Sequence, residues 1–291
     1  MTQNRLKSIF VALYPPLVIV IGVASIAGMM FSDQGMAWAG ALLTVVPFVG
    51  LYLRATMSQT LARTSRSLPL LSLLTMAGGA LAAYSFWQSG LAGLLPLVAA
   101  AVGVAGFFLY DFWYSRFGRR LNERLQVGHI LPDFYATDAE GRAVRASDLY
   151  GQPVLYMFYR GNWCPFCMAQ VKEITDSYRD IAKLGVELVL ISPQPTDLTQ
   201  RVAEMFRVPC RFWVDRDLAA ATKLGIVHDE GVPPGSLRSR FGPDTVLPTV
   251  IIVDGEGRIL FADQTENYRV RPDPVIFLRV LQSHGYRAGR P

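Results

Sequence analysis

The chain has 291 residues, 51% of them hydrophobic, with a mean hydropathy of +0.27. It is long for one domain and too apolar for an ordinary soluble one. Residues 1–128 hold nine Lys/Arg against three Asp/Glu, and residues 129–291 hold nineteen against twenty. The basic excess behind the pI of about 9.2 thus flanks apolar segments, and the C-terminal half has no basic patch interleaved with aromatics. The charge reads as membrane topology and excludes a nucleic-acid partner.

Four apolar runs come first: Ile9–Phe31, Met36–Leu53, Leu68–Trp87 and Leu91–Tyr110. Each is near the roughly 20 residues that cross a bilayer as helix, and none carries a charge. Residues 1–110 are therefore expected to form four transmembrane helices with the lipid bilayer as partner. Gly, Ala and Ser are frequent, as at close helix contacts in lipid. Tyr14, Tyr52, Tyr84, Trp87, Tyr110 and Trp113 stand near the run ends, where interfacial anchors belong. Arg5 and Lys7, then Arg54, Arg63 and Arg66, then Arg116, Arg119, Arg120 and Arg124 all fall on the N-terminal side of the membrane. By the positive-inside rule both termini face the cytoplasm, as in a multi-pass protein of a bacterial-type inner membrane. The runs hold no His and no acidic group, which argues against a haem and against an ion-coupled transporter. An anchor is the expected role.

Residues 111–128, aromatic then basic, are expected as a linker helix, and residues 129–291 as an α/β domain. A turn is expected at Asp138–Gly141. Val154–Tyr159 is an unbroken apolar run and reads as a central strand. Cys164–Lys183 follows with a buried stripe of Met168, Val171, Ile174, Tyr178 and Ile181 at helical spacing. Further elements are expected at Val186–Ile191 (strand), Thr196–Phe206 (helix, N-cap Thr196 or Asp197), Arg211–Val214 (strand) and Asp217–Leu224 (helix capped by Asp217). Strands Thr249–Val253 and Arg258–Ala262, joined by a turn, and helix Asp273–His284 complete the order.

Between the first strand and helix stands Trp163-Cys164-Pro165-Phe166-Cys167. A strand turning into a helix through C-x-x-C is a thiol–disulfide signature. The helix N-terminus favours a thiolate on Cys164, and Cys167 is placed to close a disulfide behind it. A zinc half-site is the bland alternative, but no second C-x-x-C or His pair accompanies it. Three cysteines, all in the C-terminal half, fit a reactive pair plus a spare, Cys210. Cys210 reads as a small buried residue or a second resolving thiol.

Leu131-Pro132-Asp133-Phe134, Tyr159 through Cys167, Ile191-Ser192-Pro193-Gln194, Leu247-Pro248-Thr249, Val253 through Gly257 and Asn267 through Pro274 together resemble the peroxiredoxin-like branch of the alkyl hydroperoxide reductase/thiol-specific antioxidant superfamily. The resemblance spans about residues 129–285. It implies a thioredoxin-like fold and a Cys164 nucleophile, with Cys167 resolving. Two positions depart from that pattern. Gly161 stands where the family carries Thr or Ser, and Pro248 stands where an Arg polarises the peroxide. In thioredoxins the latter place is a cis-proline facing the sulfur, so a cis bond is expected at Leu247–Pro248.

The expected function is a membrane-anchored thiol oxidoreductase that exchanges protein disulfides or reduces peroxides through Cys164 and Cys167. Thioredoxin or glutathione is the expected reductant, with no metal and no organic cofactor. A redox sensor or adaptor without high turnover is the alternative. Arg160, Trp163, Pro165 and Pro248 are the expected supporting residues. Arg160 either lowers the thiol pKa or makes a surface salt bridge. Trp163 either shields the sulfur or packs as core. The Pro/Gly-rich stretch Asp229–Asp244 is either a lid or a surface insertion.

Overall fold

A computed structural model describes residues 2–57 and 61–287. The outer limits of the expected domains, residue 1 and residues 288–291, and part of the loop after the second apolar run lie outside the described residues. The chain divides into two compact units. One comprises Leu6–Ser58 and Thr64–Arg116; the other comprises Met1–Arg5, Gln59–Arg63 and Phe117–Pro291.

The first unit is helical: α1 (Gln3–Phe31), α2 (Gly35–Met57), α3 (Pro69–Ser89) and α4 (Leu94–Phe108). Among the described residues three runs are long and apolar enough to cross a membrane, because α3 and α4 join into one run of 46 residues, Pro69–Tyr114. That run is interrupted by a 3-10 turn at Gly90–Gly93, entered at Gly90 with φ 60°. Small residues carry the helix contacts. A Cβ on Gly40 of α2 would lie 2.8 Å from the Gly78 carbonyl oxygen of α3, and one on Gly103 of α4 would collide with Thr44 Oγ1. Leu13, Val20, Val23, Met30, Leu73 and Leu95 point outward, so the helices are apolar on their outer faces as well.

The expected linker helix is confined to its two ends. Leu109–Tyr114 extends α4 as a π-turn, and Glu123–Leu125 is a single 3-10 turn. Gly118 at φ 71° breaks the helix between them. The later part of the segment is instead stitched into the second unit: Asn122 donates from Nδ2 to Leu224 O at 2.6 Å, and Arg119 donates to Thr249 Oγ1 at 3.1 Å.

The second unit is a thioredoxin-like α/β domain. Its elements are β1 (Tyr135–Asp138), β2 (Ala143–Arg145), β3 (Val154–Phe158), α5 (Pro165–Asp176), α6 (Tyr178–Ala182), β4 (Glu187–Ser192), α7 (Thr196–Phe206), β5 (Arg211–Val214), α8 (Ala219–Leu224), β6 (Val227–His228), α9 (Ser236–Phe241), β7 (Thr245–Val246), β8 (Thr249–Val253), β9 (Ile259–Ala262) and α10 (Pro274–Ser283). The main sheet runs β2-β1-β5-β4-β3-β8-β9. β3 pairs parallel with β4 and β4 with β5, while β8 pairs antiparallel with β3. All five residues of β3 are buried, as its unbroken apolar run requires of a strand covered on both faces. Beneath it Phe134, Tyr156 and Trp213 interlock, with Phe134 at 5.5 Å from Tyr156 and 6.3 Å from Trp213 between ring centroids.

Three local expectations change. The helix after C-x-x-C is two segments, because Ser177 leaves helical geometry at φ −87°, ψ 1°. The N-cap of α7 is Pro195, whose extended backbone precedes Thr196, so neither Thr196 nor Asp197 caps it. At α8, Asp217 accepts from Ala219 N at 3.3 Å, but buried Asp215 is the stronger acceptor, taking Ala220 N at 2.9 Å and Ala221 N at 2.8 Å. Asp215→Ala removes both bonds and leaves buried donors, so a loss of about 2 kcal/mol is expected. A urea midpoint followed by tryptophan fluorescence checks it.

Candidate active site

β3 leads straight into the cysteine loop. Tyr159 N donates to Ile191 O at 2.9 Å, extending the β3–β4 pairing by one step. The chain then turns at Gly161, φ 137°, where a Cβ would meet the Trp163 ring at 2.9 Å. That conformation and that contact explain why Thr or Ser is absent there. Gln194 braces the turn: its Oε1 accepts from Asn162 N at 2.8 Å, and its Nε2 donates to Tyr159 Oη at 3.2 Å and Thr199 Oγ1 at 3.1 Å. Cys164 is the N-cap of α5, at φ −95°, ψ 107°, and Pro165 begins the helix where its missing N–H costs nothing. Cys167 follows one turn later. Both thiols are free and buried, Cys164 at 3% and Cys167 at 0% exposure.

The two sulfurs are electrostatically unlike. The Cys167 thiol hydrogen-bonds to the Cys164 sulfur and holds the Cys164 pKa down, from the ordinary 9.0 to about 6. Burial opposes this, and the Arg160 and Arg271 guanidinium groups and the Cys167 N–H reinforce it. Cys167 is pushed well above 9.0, first by burial and then by its neighbour. Cys164 is thus the thiolate and Cys167 the proton-bearing partner. A lowered thiol pKa keeps the anion present as pH falls. The alkylation rate of Cys164 should therefore hold from about pH 8 downward and halve only near about pH 6, whereas a free thiol declines through about pH 8.5. A pH series of alkylation read by peptide mass checks this.

Arg160 is buried at 5% exposure. It donates from Nη2 to Gly231 O and stacks 4.6 Å from the Trp163 ring centre. Among the described residues no acidic side chain pairs with it, so the surface salt-bridge alternative is not realised. Trp163 is half-buried, with Arg160 on its ring and Phe241 at 6.3 Å. It forms a wall of the site. The stretch Asp229–Asp244 reaches this wall twice, through Gly231 O and through Phe241, and α9 forms within it.

Pro248 is buried directly before β8. Thr249 lies opposite Phe158 in the register, so Pro248 comes abreast of Tyr159 at the exit of β3. The expected cis bond is not found: among the described residues every peptide bond is trans. The flanking pairs account for it. Val246 pairs with Val227, Leu247 N donates to Ile226 O at 2.7 Å, and Thr249 enters β8, so an extended chain is held on both sides of the proline.

Cys210 lies elsewhere. Arg211 is opposite Val189, so Cys210 stands at the N-terminal end of the parallel strands, whereas Cys164 follows the C-terminal end of β3. Four residues of strand between those levels span about 13 Å. Burial pushes its thiol up to about 12. Neither position nor ionisation suits a second resolving thiol.

Arg271 joins the site without having been expected there. It is buried at 5% exposure in the Asn267–Pro274 stretch, where Tyr268 meets Phe166, between the two cysteines, edge-on at 5.3 Å. Its one signal in the sequence is a short motif that holds two arginines, Arg269 and Arg271.

The AhpC/TSA family model matches residues 127–262. Thiol-disulfide oxidoreductase ResA of Bacillus cereus is 26% identical over 158 residues, which cover 54% of this chain and 78% of that protein. Chloroplastic peroxiredoxin Q of Sedum lineare is 31% identical over 113 residues, 38% of this chain and 61% of that protein. A crystal structure of peroxidoxin BcpB from Mycobacterium tuberculosis superposes with a TM-score of 0.45 at 22% identity, over 55% of this chain and 97% of that one. Residues 127–262 match the AhpC/TSA family model and form a thioredoxin-fold, peroxiredoxin-like domain, in the enzyme class of thiol oxidoreductases and thiol peroxidases.

Proposed function

We propose that the protein is a membrane-anchored thiol oxidoreductase that cycles between a Cys164/Cys167 dithiol and a Cys164–Cys167 disulfide. The observation that carries this is the placement of the pair: Cys164 is the N-cap of α5 and Cys167 follows one turn later, both as free, buried thiols. Cys164 thiolate attacks a disulfide sulfur of the substrate, forming a mixed disulfide and releasing one substrate thiolate. Cys167 loses its proton and attacks Cys164, releasing the second thiolate. Two electrons pass from the dithiol to the substrate. Thioredoxin or glutathione returns them.

Peroxide reduction is the second reading, favoured by the Arg271 guanidinium beside Cys164, which offers the cation that Pro248 displaces. Attack on O–O gives a Cys164 sulfenic acid and an alcohol or water, and Cys167 then expels water. Stopped-flow oxidation of the full-length protein in detergent, with hydrogen peroxide and with oxidised glutathione, separates the two. Repeated turnover with either would exclude a mere sensor.

The membrane unit crosses the bilayer four times in this reading. A straight run of 46 residues would extend about 69 Å, over twice the roughly 30 Å of bilayer hydrocarbon. The break at Gly90 and the packing of α3 on α4, with Val104 beside Gly79, support two crossings there. With the basic residues all on one side, the redox domain belongs in the cytoplasm.

The Asp229–Asp244 stretch would act as a cover over Trp163 and Cys164. Phe241→Ala should raise alkylation of Cys164 by neutral iodoacetamide about fivefold, by loosening that cover. An unchanged rate would make the stretch a surface insertion after all.

A further inference from the structure

Two buried guanidinium groups act on one sulfur, that of Cys164. Arg160 stacks on Trp163, the residue before Cys164. Arg271 lies three residues beyond Tyr268, and the Tyr268 ring packs on Phe166, between the two cysteines.

Both arginines keep buried donors without an acceptor among the described residues. Among the described residues, Arg160 Nε and Arg271 Nε and Nη2 are buried with no hydrogen-bond acceptor, and so is the indole Nε1 of Trp163 on the same wall. Among the described residues neither arginine has an acidic partner. The Cys164 thiolate supplies one negative charge and Cys167 stays neutral, so the two sulfurs return one charge for the two that Arg160 and Arg271 bring. A buried cation without a partner is costly, and unfilled donors beside it call for an acceptor. A carboxylate supplies one charge, has only acceptor atoms and matches the planar fork of a guanidinium.

We propose that Arg160 and Arg271 form a carboxylate subsite beside Cys164, so that the preferred substrates and reductants carry a carboxylate close to the sulfur or peroxide that reacts. The inference rests on Cys164 being the reacting sulfur. It narrows the substrate class to anionic thiols, disulfides or hydroperoxides.

Paired alkylating reagents test it without relying on turnover. In both, the thiolate attacks the methylene carbon, a C–S bond forms, the C–I bond breaks and iodide leaves. Iodoacetate carries a carboxylate and iodoacetamide does not. The rates at Cys164 are measured by peptide mass on the full-length reduced protein in detergent, and on the same chain unfolded in urea. The iodoacetate/iodoacetamide ratio should be about tenfold higher in the folded protein. Arg271→Gln should return it to the unfolded ratio, and Arg271→Lys should keep most of it. Benzoate should slow iodoacetate more than iodoacetamide in the wild type, which decides the matter should Arg271→Gln fail to fold. Equal ratios in folded and unfolded protein, or no protection by benzoate, overturn the subsite. A raised ratio in a protein that turns over neither peroxide nor disulfide keeps the subsite and rejects the catalytic cycle; equal ratios in a protein that does turn over reject the subsite alone.

Discussion

Cys164→Ser is expected to lower turnover with either a disulfide or a peroxide by about 10⁴-fold or more, to the level of the uncatalysed reaction. A serine hydroxyl at the α5 N-cap does not ionise in the range where the thiol does, and the hydrogen bond from Cys167 and the two guanidinium groups then have no anion to stabilise. Cys167→Ser should behave differently. The first attack survives, but nothing displaces Cys164, so one equivalent of oxidant is consumed and a mixed disulfide or a sulfenic acid accumulates. Intact mass after a single addition distinguishes the two variants. Equal residual turnover in both would mean that the division of labour between the sulfurs is wrong.

Trp213→Ala is expected to cost about 4 kcal/mol, against a typical domain stability of about 5–15 kcal/mol. Trp213 is 2% exposed and heads the fully buried side chains. Its ring lies 6.2 Å from Tyr156 and 6.3 Å from Phe134, so its loss opens a void under the central strand that carries the cysteine loop. Urea unfolding followed by circular dichroism reads the change, and a shift under about 1 kcal/mol would show that the surrounding rings close the void.

Buried elements are the legible ones. Thr196–Phe206, Arg211–Val214 and Thr249–Val253 fall where their patterns put them, because apolar spacing records which face is covered. The hairpin of β1 and β2 is legible only at its turn. Tyr135–Asp138 is partly exposed along its length and leaves little apolar alternation to read. α9 hides in a Pro/Gly-rich stretch, where helix-breaking residues at its flanks mask six residues of helix. The C-x-x-C pair is legible because two sulfurs at that spacing, between a strand and a helix, have few other uses. Its cations are only half legible. Arg160 is close in sequence, but Arg271 is over a hundred residues away and belongs to the stretch held by the Tyr268–Phe166 contact. Pairings of that kind leave no local pattern. The trans bond at Pro248 is a further case, since the pairing of Val246 with Val227 on one side and of Thr249 with Phe158 on the other decides it.

The most direct measurement is a thiol–disulfide titration of the full-length protein in detergent, with each cysteine assigned by mass after alkylation. One two-electron couple is expected, in which Cys164 and Cys167 lose their thiols together while Cys210 remains alkylatable throughout. Oxidation that consumes Cys210, or that leaves Cys167 alkylatable after Cys164 has reacted, would contradict it.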